Sequence, residues 1–242
     1  MPTETLYGIN TAEEILAAGR RRVLRLLISR GEKGERVNRL VSLARSRGVP
    51  VEFCDPRQLD RLANGGNHQG ALIEAEPPPR LDLEAALAAV KDPKKTVWAG
   101  LDGITDPMNL GAIIRSAACL GVSVVVLPER RSAGMTPAAQ KAASGAAERV
   151  DVVEVVNLNQ TVLKLKEKGF WVYGLAMDGK PLPRVDFALP AFILIGSEGD
   201  GLHQKTREHC DEIVSIPQKG GVESLNAGNA AAVVFYEISK KL

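Results

Sequence analysis

Two apolar runs, Val-Ser-Val-Val-Val-Leu at 122–127 and Ala-Phe-Ile-Leu-Ile at 191–195, fix most of what this chain can fold into. Neither run alternates polar and apolar residues. A strand without a polar face is buried on both sides, as in a parallel sheet covered by helices. Further strand candidates fall at 96–101, 150–156, 170–176 and 212–216. Helix-period runs at 109–120, 136–147, 159–168 and 225–241 interleave with them. This alternation predicts an α/β fold with a mostly parallel sheet and helices on both faces.

A break precedes that region. Glu76-Pro-Pro-Pro-Arg80 loses consecutive backbone donors and favours extended chain, which suits a linker. Leu83, Ala86, Leu87 and Val90 then follow helical spacing. The chain therefore divides into residues 1–76, a linker at 77–94 and a larger domain at 95–242. The first part reads as a small α/β unit. Thr11 with Glu14 suggests a capping box. Residues 23–28, 49–53 and 69–76 suggest strands, and Val37, Leu40, Val41 and Ala44 the buried stripe of a helix.

Charge must be read locally, because 31 Lys and Arg against 29 Asp and Glu leave a net charge of only +2. Residues 20–47 hold Arg20, Arg21, Arg22, Arg25, Arg30, Lys33, Arg36, Arg39, Arg45 and Arg47, opposed within that stretch only by Glu32 and Glu35. Arginine forks match phosphate oxygens, so nucleic acid is one reading and an ordinary solvated face the other. With 4% aromatic residues, a surface that grips single strands mainly by base stacking is disfavoured. Cys54, Cys119 and Cys210 are isolated, so neither a metal site nor a disulfide framework is expected. No apolar stretch approaches the roughly 20 residues of a membrane span, and a cytoplasmic protein is the expectation.

Three glycine-punctuated segments stand at the ends of predicted strands. They are Asp102-Gly-Ile-Thr-Asp-Pro-Met-Asn-Leu-Gly-Ala-Ile-Ile-Arg115, Ile195-Gly-Ser-Glu-Gly-Asp-Gly-Leu202 and Ile216-Pro-Gln-Lys-Gly-Gly-Val-Glu-Ser-Leu-Asn226. Loops at strand ends are where α/β domains place ligands. Asp106 or Asn109 can cap the helix that follows the first segment, and Ser224 the helix that follows the third. The second carries neither the phosphate-loop lysine nor the dinucleotide fingerprint. His203 and His209 read as surface or capping residues of the next helix.

In this order and spacing the segments resemble the three motifs of the SpoU/TrmH family of RNA ribose 2′-O-methyltransferases. The resemblance covers residue 96 to the C-terminus. Leu6-Tyr-Gly-Ile-Asn10 and His68-Gln-Gly70 are similar to that family's RNA-binding extension, a small α/β/α module like a ribosomal protein. The resemblance implies a deep trefoil knot, a homodimer with a shared site, and S-adenosylmethionine held mostly by backbone at Gly196, Ile216 and Leu225. Its functional polar positions correspond to Asn109, Arg115, Glu198, Ser224 and Asn226, with no metal required. Arg115 matches the residue that polarises or deprotonates the ribose hydroxyl. Arg20, Arg21, Arg22, Arg25 and His68 become the expected RNA contacts. With both domains present, the substrate implied is a guanosine of 23S ribosomal RNA. The same chemistry on transfer RNA or another ribosomal site is one alternative, and a non-catalytic RNA-binding or ribosome-assembly factor is another. The chain departs from the family pattern at Met108, at Pro217-Gln-Lys219 and at Gly228, where a hydroxyl is usual.

Overall fold

The computed structural model describes residues 3–32, 34–79, 81–220 and 224–242. Lys33 of the basic stretch, Arg80 of the linker and Gly221, Val222 and Glu223 of the third segment lie outside the described residues. The chain forms two compact units, Met1–Pro79 with Met135–Arg149, and Arg80–Gly134 with Val150–Leu242.

The first unit runs β1 (Glu4–Tyr7), α1 (Ile9–Ala18), β2 (Val23–Ser29), α2 (Glu35–Ser46), β3 (Val51–Cys54), α3 (Pro56–Leu62) and β4 (Ala71–Ala75). Its sheet has the order β1-β4-β2-β3, antiparallel except for the β2–β3 pair. The two-residue period of a strand divides β2 between two cores. Leu26 and Ile28 join Ile15 and Leu16 of α1 and Val37, Leu40, Val41 and Ala44 of α2. Leu27 joins Leu59 of α3, with Cys54 and Leu72. The helical stripe read from the sequence is thus the buried face of α2. The capping box is not formed. Gly8, at a φ of 104°, turns the chain into α1 two residues before Thr11 is reached. Thr11 is buried inside the helix, and its hydroxyl has no hydrogen-bond partner among the described residues.

The sequence reading placed residues 135–149 in the larger domain, but they cluster with this first unit. A buried ion network explains the association. Arg21 donates from Nε to Glu148 at 2.7 Å, from Nη1 to Glu4 at 2.6 Å and from Nη2 to Gln140 Oε1 at 2.9 Å.

The second unit holds α4 (Leu83–Ala88), β5 (Val97–Asp102), α5 (Pro107–Cys119), β6 (Val124–Pro128), β7 (Asp151–Val155), α7 (Leu158–Glu167), β8 (Trp171–Pro181), β9 (Ala191–Gly196), α8 (Gln204–Glu208), β10 (Glu212–Ser215) and α9 (Ala227–Ser239). Helix α6 (Pro137–Ala142) falls between β6 and β7 in sequence and belongs to the first unit. All six strands are parallel, in the order β10-β8-β9-β5-β6-β7. The all-apolar runs occupy the interior strands β6 and β9, as the lack of a polar face requires. Trp98, Val124, Val126, Phe192 and Leu194 form one core with Leu158, Val162 and Leu165 of α7. Helices α5 and α9 pack on each other and bury Ile113, Ile114, Ala117, Ala231, Val234 and Phe235.

Candidate active site

The first two segments leave the sheet side by side, because Asp102 at the end of β5 is in register with Gly196 at the end of β9. The third follows β10. Asp106 caps α5, accepting from the backbone N–H of Met108 at 3.0 Å and of Asn109 at 3.3 Å. That leaves the Asn109 side chain free for longer-range bonds. Its Nδ2 donates to Glu198 Oε1 at 2.7 Å. Asn226 Nδ2 donates to Asn109 Oδ1 at 2.8 Å and to Glu198 Oε1 at 2.5 Å.

Asn226, rather than Ser224, caps α9 by accepting from the N–H groups of Gly228 and Asn229. Glu198 Oε1 also receives the Ala227 N–H at 3.4 Å. One carboxylate oxygen therefore gathers donors from the first and third segments while standing on the second. Charge-assisted bonds of this kind are stronger than neutral ones. Glu198 Oε2 has no hydrogen bond among the described residues. Gly228, the departure from the family pattern, lies where the two helices meet, and a Cβ there would come within 3.0 Å of the Ala112 Cβ.

Beside this cluster lies a cavity of about 310 Å³. Glu198 and Gly196 line it, as do Ile216, Ser224 and Leu225 of the third segment. The remaining wall was not legible as such in the sequence. Strand β8 pairs with β10 through Tyr173 and Gly174, then resumes pairing at Lys180 and Pro181. Residues 175–179 bow out between these pairs, and Leu175, Ala176, Met177 and Asp178 line the cavity. Gly174 and Gly179, which bracket the excursion, were its sequence signal. Arg207 of α8, also in the lining, donates to Asp178 at 2.7 Å and holds that carboxyl below its ordinary range.

Gly196 is fixed by packing as well as by the cavity. A Cβ there would overlap the backbone of Gly201 and Leu202, where Ser197 and Gly201 close a tight bridge. Gly196→Ala should therefore cost about 1–3 kcal/mol of stability. If that strain falls on the cavity wall, ligand affinity should drop about tenfold or more. Thermal unfolding and calorimetric titration with S-adenosylmethionine measure the two effects. Asp102 adds a second tie between the segments. It accepts from the His203 backbone N–H at 2.9 Å and pairs with His203 Nδ1 at 2.8 Å. His203 occupies the N-cap position of α8. Arg115 is exposed further along α5.

The expected RNA contacts separate into two groups. Arg20 and Arg22 are exposed. Arg21 is not available, because its side chain is 2% exposed and its donors are spent on Glu148, Glu4 and Gln140. Arg25 is committed to a fork with both oxygens of Glu74 at 2.8 Å, with Glu52 beside it. Those two carboxylates raise its already high pKa further. His68 points into its own loop, where Nδ1 accepts from the Gly70 N–H at 3.0 Å and Nε2 meets Asp60 at 3.0 Å. Among the described residues no group of three or more His, Cys, Asp or Glu is placed to hold a metal ion. No helix among them is long and apolar enough to cross a membrane.

The model of the SpoU rRNA methylase family matches residues 97–236, the span that carries all three segments. The chain belongs to the SpoU rRNA methylase family. A second model, RNA 2′-O ribose methyltransferase substrate binding, matches residues 5–81. The chain is 37% identical to the 23S rRNA (guanosine-2′-O-)-methyltransferase RlmB of Yersinia pestis, over 99% of this chain and 98% of that one. It is 35% identical to the enzyme of that name from Coxiella burnetii, over 98% and 96%. The SpoU methyltransferase AviRb from Streptomyces viridochromogenes, solved with the cofactor AdoMet, superposes with a TM-score of 0.79 at 25% identity, covering 98% of this chain and 90% of that one. An RNA 2′-O ribose methyltransferase structure reaches 0.83 at 20% identity, over 99% and 88%, and supports the fold alone.

Proposed function

We propose that this SpoU-family protein transfers the methyl group of S-adenosylmethionine to the ribose 2′-hydroxyl of a guanosine in 23S ribosomal RNA. The observation that carries the proposal is the Asn109–Glu198–Asn226 cluster bordering the cavity. The cavity suits the cofactor. Its volume lies within the range of small-molecule sites, it combines apolar walls with a few polar groups, and Asp178 and Glu198 place carboxylates in the lining where a sulfonium cation would be favoured. Bound there, the cofactor supplies an electrophilic methyl group.

The protein's part is alignment and polarisation. Gly196, Ile216 and Leu225 hold the cofactor through their backbone. Asn109 and Asn226 fix Glu198, whose Oε2 accepts a hydrogen bond from the 2′-hydroxyl and orients its oxygen. Arg115 polarises that hydroxyl and stabilises the charge that develops on its oxygen as the proton leaves to water; the oxygen–methyl bond would form as the sulfur–methyl bond breaks, with the neutral thioether as leaving group. A guanidinium presents only N–H donors and no acceptor, so its role is electrostatic rather than that of a base. Ser224 shapes the third loop. Arg20 and Arg22 contact the RNA backbone.

The same reading includes a homodimer, supported by Val233 and Tyr236 exposed on α9 and Met108 exposed on α5. It includes a trefoil knot, supported by a strand order that inserts β9 between β5 and β8 before the chain returns to β10 at the sheet edge. The work would take place in the cytoplasm. Purified protein with methyl-labelled cofactor should label unmodified 23S ribosomal RNA, and Arg115→Ala should lower the rate about 10²-fold or more. Transfer to transfer RNA alone would replace the proposed substrate. No transfer to any RNA would overturn the enzymatic reading.

A further inference from the structure

In the first unit, the two motifs of the N-terminal region converge on a lysine remote from both in sequence. Lys141 of α6 donates from Nζ to Gln69 Oε1 at 2.9 Å, and its ammonium lies 6.0 Å from the centre of the Tyr7 ring. Gly8 forms the floor, since a Cβ there would overlap the Lys141 ammonium. Gly66 leaves room for the Tyr7 ring, which a Cβ at 66 would strike. Gln69 itself is held at a φ of 51°, a left-handed conformation unusual for a residue other than glycine. The loop enforces it. His68 accepts from the Gly70 N–H and is anchored to Asp60, and Gly70 has a φ of 78°.

Strain of this kind, kept by surrounding structure, gathers at functional sites. What it positions here is a set of donors. The Lys141 ammonium has further N–H groups beyond the one given to Gln69, and Gln69, an exposed residue whose amide oxygen is occupied, has two N–H donors on its amide nitrogen. Among the described residues no carboxylate pairs with Lys141, although Glu32 packs against Gly70. Partial burial depresses the lysine's pKa.

We infer that Lys141, Gln69 and Tyr7 form a binding niche for a phosphodiester of the RNA substrate. The inference rests on the reading that this unit engages RNA. It gives His68 the task of holding Gln69 in place, and it accounts for the glycines of both motifs.

The test is binding of the full-length protein to unmodified 23S ribosomal RNA across a salt series, with inorganic phosphate as a competitor. Lys141→Met should weaken RNA binding about tenfold and flatten the dependence of log affinity on log salt by about one unit, as loss of one phosphate contact requires. Lys141→Arg should keep the slope. Gln69→Glu separates the niche from a purely structural strut, because it strengthens the local pair with Lys141 while repelling phosphate. It should therefore preserve thermal stability and lower RNA affinity. Wild-type affinity and slope in Gln69→Glu would overturn the niche, even if Lys141→Met fails to fold. Competition by phosphate alone at millimolar concentration would mean a free-anion site and would also overturn it. Wild-type protein that neither binds nor methylates the RNA would overturn the functional reading itself, a result distinct from loss of the niche alone.

Discussion

Glu198→Ala is expected to slow methyl transfer about 10²- to 10³-fold, since misplacing reacting groups by even an ångström has that order of effect. The size follows from how much one oxygen holds together. Glu198 Oε1 receives Asn109 Nδ2, Asn226 Nδ2 and the Ala227 N–H. Removing it leaves Asn109 Nδ2 without its acceptor, leaves Asn226 Nδ2 only its bond to Asn109 Oδ1, and loosens the tie between the starts of α5 and α9. Glu198→Gln distinguishes this scaffolding from the carboxylate's charge. A glutamine oxygen has two lone pairs and can keep the two asparagine bonds, so the loops should stay largely aligned while the charge and the second acceptor are lost. A fall of about tenfold is expected, between wild type and alanine, because hydrogen bonds to a charged group exceed neutral ones by about a kcal/mol. Single-turnover transfer at saturating cofactor reads both variants. Wild-type rates in Glu198→Ala would remove the cluster from the mechanism.

The largest stability effect is expected at Arg21. Breaking a buried ion pair by removing one partner costs about 3–5 kcal/mol, because the other charge remains buried. Arg21 and Glu148 side chains are each 2% exposed, so Arg21→Met should lose stability on that scale in urea unfolding. Arg22→Ala, whose partner is Glu76 and whose own side chain is 71% exposed, should cost less than about 1 kcal/mol. The penalty at Arg21 should also depend on pH. Burial pushes the Glu148 carboxyl above its ordinary value, and Arg21 opposes that push. Without Arg21 the folded-state value rises further. A carboxyl raised on folding lowers stability above its folded pKa and relieves that cost as pH falls and the proton is taken up. The deficit of Arg21→Met should therefore be largest near neutrality and shrink towards the acid range.

The contrast between these arginines marks what a linear reading cannot supply. Residues 20–47 look uncompensated because their partners lie far away in sequence. Glu148 lies 127 positions from Arg21, and Glu74 lies 49 positions from Arg25. A basic stretch read as a phosphate surface is in part an internal ion network. The same long-range packing draws residues 135–149 into the first unit, whereas local periodicity assigned them to the second. The strands were legible because β6 and β9 are buried on both faces and carry no polar residue to blur the pattern. The bowed segment of β8 was not, because Leu175, Ala176 and Met177 are apolar like the residues of a continuous strand and only Asp178 and the flanking Gly174 and Gly179 interrupt the pattern. Within the cluster, Asn109, Glu198 and Asn226 could be named from the motifs. Which side chain capped which helix could not. Asp106 and Asn226 share the chemistry of their competitors Asn109 and Ser224, and tertiary contacts made the choice.

The most direct measurement is of the product nucleoside. Unmodified 23S ribosomal RNA is incubated with the protein and S-adenosylmethionine, digested to nucleosides and examined by mass spectrometry, with Arg115→Ala as the control. The expected result is 2′-O-methylguanosine formed by the wild-type protein and nearly absent with the variant. A methyl group on a base, on the ribose of another nucleoside, or formed equally by Arg115→Ala would contradict it.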